Sequence, residues 1–180
     1  MAATIDATVG GASANSYAAT AAADAYFETR PNSTNWSGAV ADLKTRALIT
    51  ATGLIDPNPQ WDPARIGTNR ATTTQALLFP MANTLNLIGD AYYALTIIPP
   101  FVLEGTYETA MALIAGDRLV DPDSREFESL TLGPLGLKYN TERAGRYRPL
   151  PDAALNKLAP WLLVSPSASP RLMRTVPIVR

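Results

Sequence analysis

The chain has 180 residues, 47% of them hydrophobic, which is ordinary for one compact domain with a buried core and short extensions. It contains neither cysteine nor histidine, which excludes disulfides, thiol or histidine catalysis, and metal sites built from those side chains. The net charge is −1, but residues 1–140 carry 8 Lys+Arg against 14 Asp+Glu, whereas residues 141–180 carry 7 against 2. This asymmetry indicates an acidic partner surface or nucleic acid at the basic end, or else arginines that merely solvate a loose tail.

Composition also constrains catalysis and membrane insertion. An enzyme without histidine or cysteine would have to work with carboxylates, lysine, tyrosine or oxygen-bound metal alone, so we expect a protein that is not an enzyme and carries neither a cofactor nor a metal. The N-terminus shows no basic region before an apolar run, and no stretch approaches the roughly 18 to 20 consecutive apolar residues of a membrane span. We therefore expect a soluble protein with no membrane partner that stays in the compartment where it is made.

The chain begins with an expected arm and a first helix. Residues 1–14 are small and mostly polar, and we expect them to form an extended N-terminal arm. Residues 15–31 are rich in alanine and predict a helix that Asn15 or Ser16 caps and that the proline at its end stops. The expected inner face consists of Tyr17, Ala21, Ala25 and either Phe27 or Glu28.

Residues 37–57 predict a second helix, because apolar side chains recur at near-helical spacing until Pro57 prevents its continuation. Asp42 and Arg46 are four residues apart and should pair on the outer face. The expected inner face consists of Val40, Leu43, Ala47, Ile49 or Thr50, and Leu54.

Residues 56–100 follow no helical period over most of their length. Several prolines open this stretch, and Trp61 among them is expected to plug the core rather than to form a ligand platform. A short apolar run, residues 75–80, then ends abruptly at Pro80.

Two further helices are predicted. Residues 99–118 form the most apolar helical stretch, with proline favouring its start and Gly116 its end, so we expect this helix to be central. Residues 150–163 predict a short last helix with Pro151 in its first turn. The core face expected for the central helix consists of Phe101 or Val102, Thr106 or Tyr107, Ala110, Leu113 and Ile114.

The stretch between these two helices changes period. Apolar residues of 126–140 alternate with others around Gly133 and Pro134, which predicts a β-hairpin that must lean on the helices or on another subunit. The fold class expected from all elements is mainly α. Residues 15–163 would form a small bundle of about four helices with this hairpin, between the N-terminal arm and an extended C-terminal docking arm at residues 164–180.

The densest acidic cluster, residues 121–128, could in principle hold Mg²⁺ or Ca²⁺ through carboxylate oxygens. It lacks the Asp-x-Asp-x-Asp-Gly order of a calcium loop, so we interpret it as a solvated linker between helix and hairpin. The glycine pairs of the chain are not followed by the Lys-Ser/Thr of a phosphate-binding loop and are interpreted as turns.

A second cluster interleaves arginines with an aromatic residue. Arg143, Arg146, Tyr147 and Arg148 have the composition with which single-stranded DNA channels contact phosphates and stack a base. Ordinary loop chemistry before a helix explains the segment equally well, and contact with an acidic protein neighbour is a third possibility.

A succession of short motifs runs through residues 15–163. Their matching residues are Ser16, Tyr17, Ala23 to Phe27, Ala51 to Asp56, Trp61, Gln75 to Leu77, Phe79, Pro80, Pro151 to Ala153, Leu155, Leu158, Trp161 and Leu162. Their order resembles that of the tailed-phage head-to-tail connector, or adaptor, proteins, some relatives of which are known as DnaT-like single-stranded-DNA-binding proteins.

This resemblance implies a structural protein of the virion. It would form a ring, typically of twelve copies, under the portal protein, extend the channel through which genomic DNA passes without sequence specificity, and offer a platform to other neck or tail proteins. Its place would be the neck at the head–tail junction, after synthesis in the host cytoplasm. The alternative is a single-stranded-DNA-binding accessory protein of replication, and a globular scaffold without a partner is the plainest interpretation.

Three prolines in residues 165–180 rule out a continuous helix, yet the segment is apolar and rich in arginine. Under the connector interpretation, this tail runs along the portal or a neighbouring subunit, with apolar side chains in grooves and arginines on acidic groups. The alternative is that it packs back on its own domain. The candidate docking residues are Arg171, Leu172, Met173, Arg174, Val176, Ile178 and Arg180.

Overall fold

The computed structural model describes residues 3–58, 60–87, 91–116, 119, 129–132, 135–138 and 150–163. These ranges contain α1 (Thr20–Glu28), α2 (Thr34–Ser37), α3 (Ala41–Ile55), α4 (Pro63–Ile66), α5 (Pro100–Ala115), α6 (Asp152–Leu158) and a 3₁₀ turn (Ala159–Trp161). They also contain β1 (Asn69–Arg70), β2 (Met81–Ala82), β3 (Leu85–Asn86), β4 (Ala91–Tyr92), β5 (Ser129–Leu132) and β6 (Leu135–Lys138). The expected fold class, mainly α with a small β-hairpin, is confirmed.

The strands form short antiparallel pairs rather than a common sheet. β1 pairs with β2 and β3 with β4, so two small hairpins follow one another between α4 and α5. β5 pairs with β6 in a register that places Leu132 opposite Leu135, which confirms the hairpin predicted for residues 126–140. The four longer helices match the four predicted ones, whereas the single-turn helices α2 and α4 lie in stretches that we expected to be loop.

The first helix starts later than its sequence predicts. Asn15 accepts a hydrogen bond from the Asp6 backbone N–H at 2.8 Å and donates to the Thr4 carbonyl at 2.9 Å, while the Ser16 hydroxyl donates to the Ala18 carbonyl at 2.9 Å. The prediction that Asn15 or Ser16 caps this helix is therefore wrong. The Asn15 side chain holds the N-terminal residues, the Ser16 hydroxyl bonds locally to Ala18, and α1 begins only at Thr20.

Two predicted inner faces are also wrong in part. In α1 the buried residues are Ala23 and Phe27, whereas Ala21 and Ala25 are exposed. The predicted face starts at Tyr17, which is buried but precedes the helix, so helical spacing does not apply to it. In α3 the buried residues are Ala47, Leu48, Ala51, Thr52 and Ile55, so the helix meets the core only from its second turn onward and leaves Val40 and Leu43 exposed.

Helix α5 is the centre of the domain, as expected. It packs against α3 and against α6, and Gly105 allows α6 to approach closely, because a Cβ at this position would lie 2.9 Å from Leu158 Cδ2. Its buried residues include polar ones and are Phe101, Val102, Gly105, Thr106, Tyr107, Glu108, Thr109 and Ala110.

The carboxylate of Glu108 is only 4% exposed and sits between two partners from the α1 region. It accepts a hydrogen bond from the Tyr26 hydroxyl at 2.7 Å and forms an ion pair with Arg30. A buried carboxylate is costly unless it is paired and hydrogen-bonded, and both conditions are met here. Burial, together with the nearby Glu108 carboxylate, raises the pKa of the Tyr26 hydroxyl. This network ties α1 to α5.

A second network holds the loop of residues 75–80, in which the Phe79–Pro80 peptide bond is cis. The buried Gln75 amide donates to three carbonyls of this loop, those of Leu77 and Leu78 at 2.9 Å and that of Pro80 at 3.2 Å. The Asp56 carboxylate accepts from the Leu78 N–H at 2.6 Å and from the hydroxyl of Tyr17. Desolvation and the Asp56 charge raise the pKa of the Tyr17 hydroxyl. The end of α3, the lead into α1 and the loop are thereby joined.

Aromatic rings fill the core beneath that loop. Trp61 is 6% exposed and lies edge-on to Phe79 and Phe101 at centroid distances of 5.3 and 6.2 Å. Its indole N–H donates to the Ile55 carbonyl at 3.2 Å. The prediction that Trp61 plugs the core is confirmed.

Gly67 connects α4 to β1 with a φ of 84°, and a Cβ there would lie 1.8 Å from the carbonyl oxygen of Ala82. We expect Gly67→Ala to lower the free energy of unfolding by about 2–4 kcal/mol, because it adds backbone strain to a clash with main chain. Denaturant titration measures the change. Gly53→Ala, at an exposed position of α3 with no neighbour within 4 Å, should instead stabilise by about 0.5–1 kcal/mol. Equal stability of the two variants would contradict this role of Gly67.

Asp24 accepts hydrogen bonds at 2.8 Å from both the Trp36 indole and the Lys44 ammonium, which links α1, α2 and α3. The hydrogen bond from Lys44 is the main cause that lowers the Asp24 pKa below 3.8. The charged Asp24 carboxylate therefore contributes fully to the free energy of unfolding above its ordinary pKa of 3.8, and this contribution is lost as the pH falls through the lowered pKa.

We expect Asp24→Asn to reduce the free energy of unfolding near neutral pH, with the difference from the wild type shrinking as the solution is acidified below the ordinary carboxyl pKa. Chemical denaturation at a series of pH values measures this. Glu28→Gln removes an acid from the same helix, where no partner contacts it among the described residues, and is the matched control. A wild-type advantage over Asp24→Asn that grew on acidification would show the assignment to be wrong.

Candidate nucleic-acid interface

The residues predicted to contact DNA or a partner lie outside the described residues. This applies to the first group, Arg143, Arg146, Tyr147 and Arg148, and to the tail group, Arg171, Leu172, Met173, Arg174, Val176, Ile178 and Arg180. It also applies to the acidic cluster of residues 121–128. The structure does describe residues 150–163, the segment that stands between the two basic groups in the chain.

This intervening segment is anchored firmly in the core. The ring of Trp161 stacks on Phe101 at 3.8 Å with an interplanar angle of 7°. Its indole N–H donates to the Leu85 carbonyl at 3.0 Å. The buried residues of the segment are Leu150, Pro151, Ala154, Leu155, Leu158, Trp161 and Leu162. The first basic stretch therefore precedes, and the second follows, a segment that is fixed on the domain.

The end of this segment, where the tail begins, is held by backbone contacts. The Leu163 N–H donates to the Gln60 carbonyl at 2.7 Å, and Leu162 forms an antiparallel bridge with Trp61. The Arg65 guanidinium of α4 donates to the Pro160 carbonyl. We call Pro160 to Leu163, with these partners, the tail root. Asp62 caps the N-terminus of α4, the helix that carries Arg65, because its carboxylate accepts from the Ala64 N–H at 3.0 Å.

Most of the lysine and arginine side chains that the structure describes are already paired. Six lysine and arginine side chains lie where the structure describes side chains, and five of them form ion pairs. The pairs are Arg30 with Glu108, Lys44 with Asp24, Arg46 with Asp42, Arg65 with Asp62, and Lys157 with Glu104. The predicted pairing of Asp42 with Arg46 is thus confirmed, at 2.6 Å. The sixth, Arg70, donates to the Gln75 carbonyl at 3.3 Å.

Sequence reasoning missed a group of exposed apolar side chains in and next to the β3–β4 hairpin, whose Leu85 carbonyl accepts a hydrogen bond from Trp161 of the tail root. Leu87, Tyr92, Leu95 and Ile97 are 46, 61, 44 and 45% exposed, and we call this group the hairpin face. The available signal was a stretch rich in large apolar side chains with almost no charge. From the sequence, residues 56–100 are expected only to follow no helical period over most of their length.

The described part of the chain offers little else of chemical interest. Within it, no group of three or more acidic side chains is placed to hold a metal ion. A shallow groove lies between the N-terminal residues and the loop of residues 75–80, lined by Gly11, Tyr17, Gln75 and neighbouring residues. None of the helices in the described ranges is long and apolar enough to cross a membrane.

Comparison with known proteins corrects the functional interpretation. The model of a family described as "Putative DnaT-like ssDNA binding protein" matches residues 1–180. No curated protein and no solved structure matches the chain. The expectation of a head-to-tail connector that forms a ring under a portal protein is wrong, because the match bears out only the DnaT-like part of the resemblance and favours the alternative of single-stranded-DNA binding.

The burial of the residues that carried the resemblance explains why it did not indicate the function. The residues that carried it are mostly buried, including Tyr17, Phe27, Phe79, Leu158 and Trp161. Buried side chains specify how helices and loops pack, and unrelated functions share such folds. The motifs therefore report the fold rather than the partner, and the match over the full length shows the family. The chain belongs to the family described as "Putative DnaT-like ssDNA binding protein".

Proposed function

We propose that this protein binds single-stranded DNA through the basic quarter of its chain, residues 141–180, and acts by binding rather than by catalysis. The observation that carries the proposal is the charge separation, with an excess of five basic residues in this quarter and of six acidic residues in the rest. The family match supports DNA as the partner. An accessory role in replication, where single strands are exposed, fits such an activity.

Phosphate contacts require cations that are free to leave their present partners. Of the five lysines and arginines of residues 1–140 whose side chains the structure describes, four neutralise acids, and Arg30 and Lys44 do so within the networks that hold α1 in place. Breaking such pairs to bind DNA would leave Glu108 or Asp24 without its partner. Residues 141–180 hold seven cations and only two acids. The body is therefore a poor phosphate site, and the C-terminal quarter has the surplus charge.

The acidic body also has an electrostatic effect on where DNA binds. Like charges repel the sugar-phosphate backbone from residues 1–140, while the C-terminal quarter attracts it. Screening limits both effects to about 10 Å at moderate salt. A strand should thus be confined near the two basic stretches, where Arg143, Arg146 and Arg148 contact phosphates and Tyr147 can stack a base.

We expect fluorescence anisotropy with a labelled oligothymidine to show binding that weakens as salt is raised. Each phosphate contact contributes about 0.7 to the slope of log K against log salt for single strands. The triple replacement of Arg143, Arg146 and Arg148 by alanine should therefore reduce the slope by about 2, and a single Arg146→Ala by about 0.7.

Arg46→Ala is the matched control, since Arg46 is an exposed arginine of the body that already pairs with Asp42. It should leave both affinity and slope unchanged. Two results would refute the proposal: no binding of the oligonucleotide by the wild type at low salt, or a larger loss of slope from Arg46→Ala than from Arg146→Ala.

A further inference from the structure

We propose that the hairpin face is the surface on which the bases of the bound strand stack, with Tyr92 as the principal platform. This inference rests on the proposed function and adds the place at which bases, as opposed to phosphates, are contacted. Three observations carry it: the exposure of the hairpin face, the charge of the stretch around it, and its position beside the tail root.

Tyr92 is 61% exposed although it lies in a strand, and Leu95 and Ile97 follow it closely with similarly exposed side chains. Tyr92 pairs across the ladder with Leu85, whose carbonyl accepts from the Trp161 indole at 3.0 Å. The backbone that carries this ring is thus tied to the core. A base that stacks on a ring held in place loses less conformational freedom than one that must order the ring as well.

The charge of this region differs from that of the rest of the body. Residues 63–103 contain two arginines and one acid, Asp90, whereas residues 1–62 contain three cations and six acids, and residues 104–140 three cations and seven acids. Residues 63–103 are therefore the one long part of the body that does not repel a polyanion. A neutral, apolar surface suits base faces, while phosphates are left to cations elsewhere.

Those cations lie on the chain that starts next to the hairpin face. Trp161 contacts Leu85 of the hairpin, and the tail root ends two residues later, at Leu163, which is itself 60% exposed. The next 17 residues of the sequence carry three arginines, Arg171, Arg174 and Arg180. In the sequence, the arginine-bearing stretch thus follows a residue held close to the hairpin, which suits a strand whose bases need an apolar surface and whose phosphates need cations.

The test compares Tyr92→Ala and Tyr92→Phe with the wild type in oligothymidine anisotropy at several salt concentrations. Loss of one stacked base should weaken binding about tenfold or more in Tyr92→Ala, without changing the salt slope, and Tyr92→Phe should bind like the wild type. Val40→Ala is the control, since Val40 is 68% exposed and lies just before α3, outside the hairpin face. Photocrosslinking of a bromodeoxyuridine oligonucleotide to Tyr92 gives a readout that is independent of affinity.

The possible outcomes separate this inference from the proposed function. Wild-type binding that Tyr92→Ala leaves unchanged would overturn the inference alone, and the absence of any wild-type binding would overturn both. Light scattering identifies the competing use of an apolar surface: an oligomer that Tyr92→Ala dissociates, with DNA affinity unaffected, would assign the hairpin face to contact between copies of the chain. Because Tyr92 is exposed, thermal unfolding of each variant should match the wild type.

Discussion

Helix α5 is buried at eight of its 16 residues, and every polar group at those positions must find a partner inside the protein. Thr106 and Thr109 donate their hydroxyls to carbonyls of the preceding turn, each at 2.8 Å. Glu108 cannot do this and instead binds Tyr26 and Arg30. The need to neutralise one buried carboxylate thereby links the α1 region to α5 through Tyr26 and Arg30. On the same helix, the missing side chain of Gly105 leaves room for α6.

The proposed function follows the same division of charge. Residues 1–140 use Arg30 and Lys44 to balance their own carboxylates, and Lys157 of the basic quarter balances Glu104. The surplus of cations is in residues 141–180, which hold seven cations and two acids. Under the proposed function, stability and DNA binding therefore depend on different parts of the chain, and the strength of binding can change without a change in the core.

Much of the fold could be predicted because it depends on local rules. Prolines and glycines marked the ends of α3 and α5, and the alternation around residues 133 and 134 marked the β5–β6 hairpin. Inward faces were predicted less well, since a helix such as α3 has apolar residues on more than one side and its neighbours select among them. The candidate site was predicted by charge alone. The hairpin face was not predicted, because the residues next to Tyr92 in the sequence do not determine whether its side chain is exposed.

By itself, the sequence determined the helical class, the approximate extent of four helices, the exclusion of histidine and cysteine chemistry, and the separation of an acidic body from a basic end. These properties follow from composition and from short-range periodicity. The tertiary structure decided that Asn15 binds N-terminal residues instead of capping a helix, that Gln75 organises the loop of residues 75–80, and that the hairpin face stays uncovered. Burial is set by partners far apart in the chain, and no local pattern encodes which partner arrives.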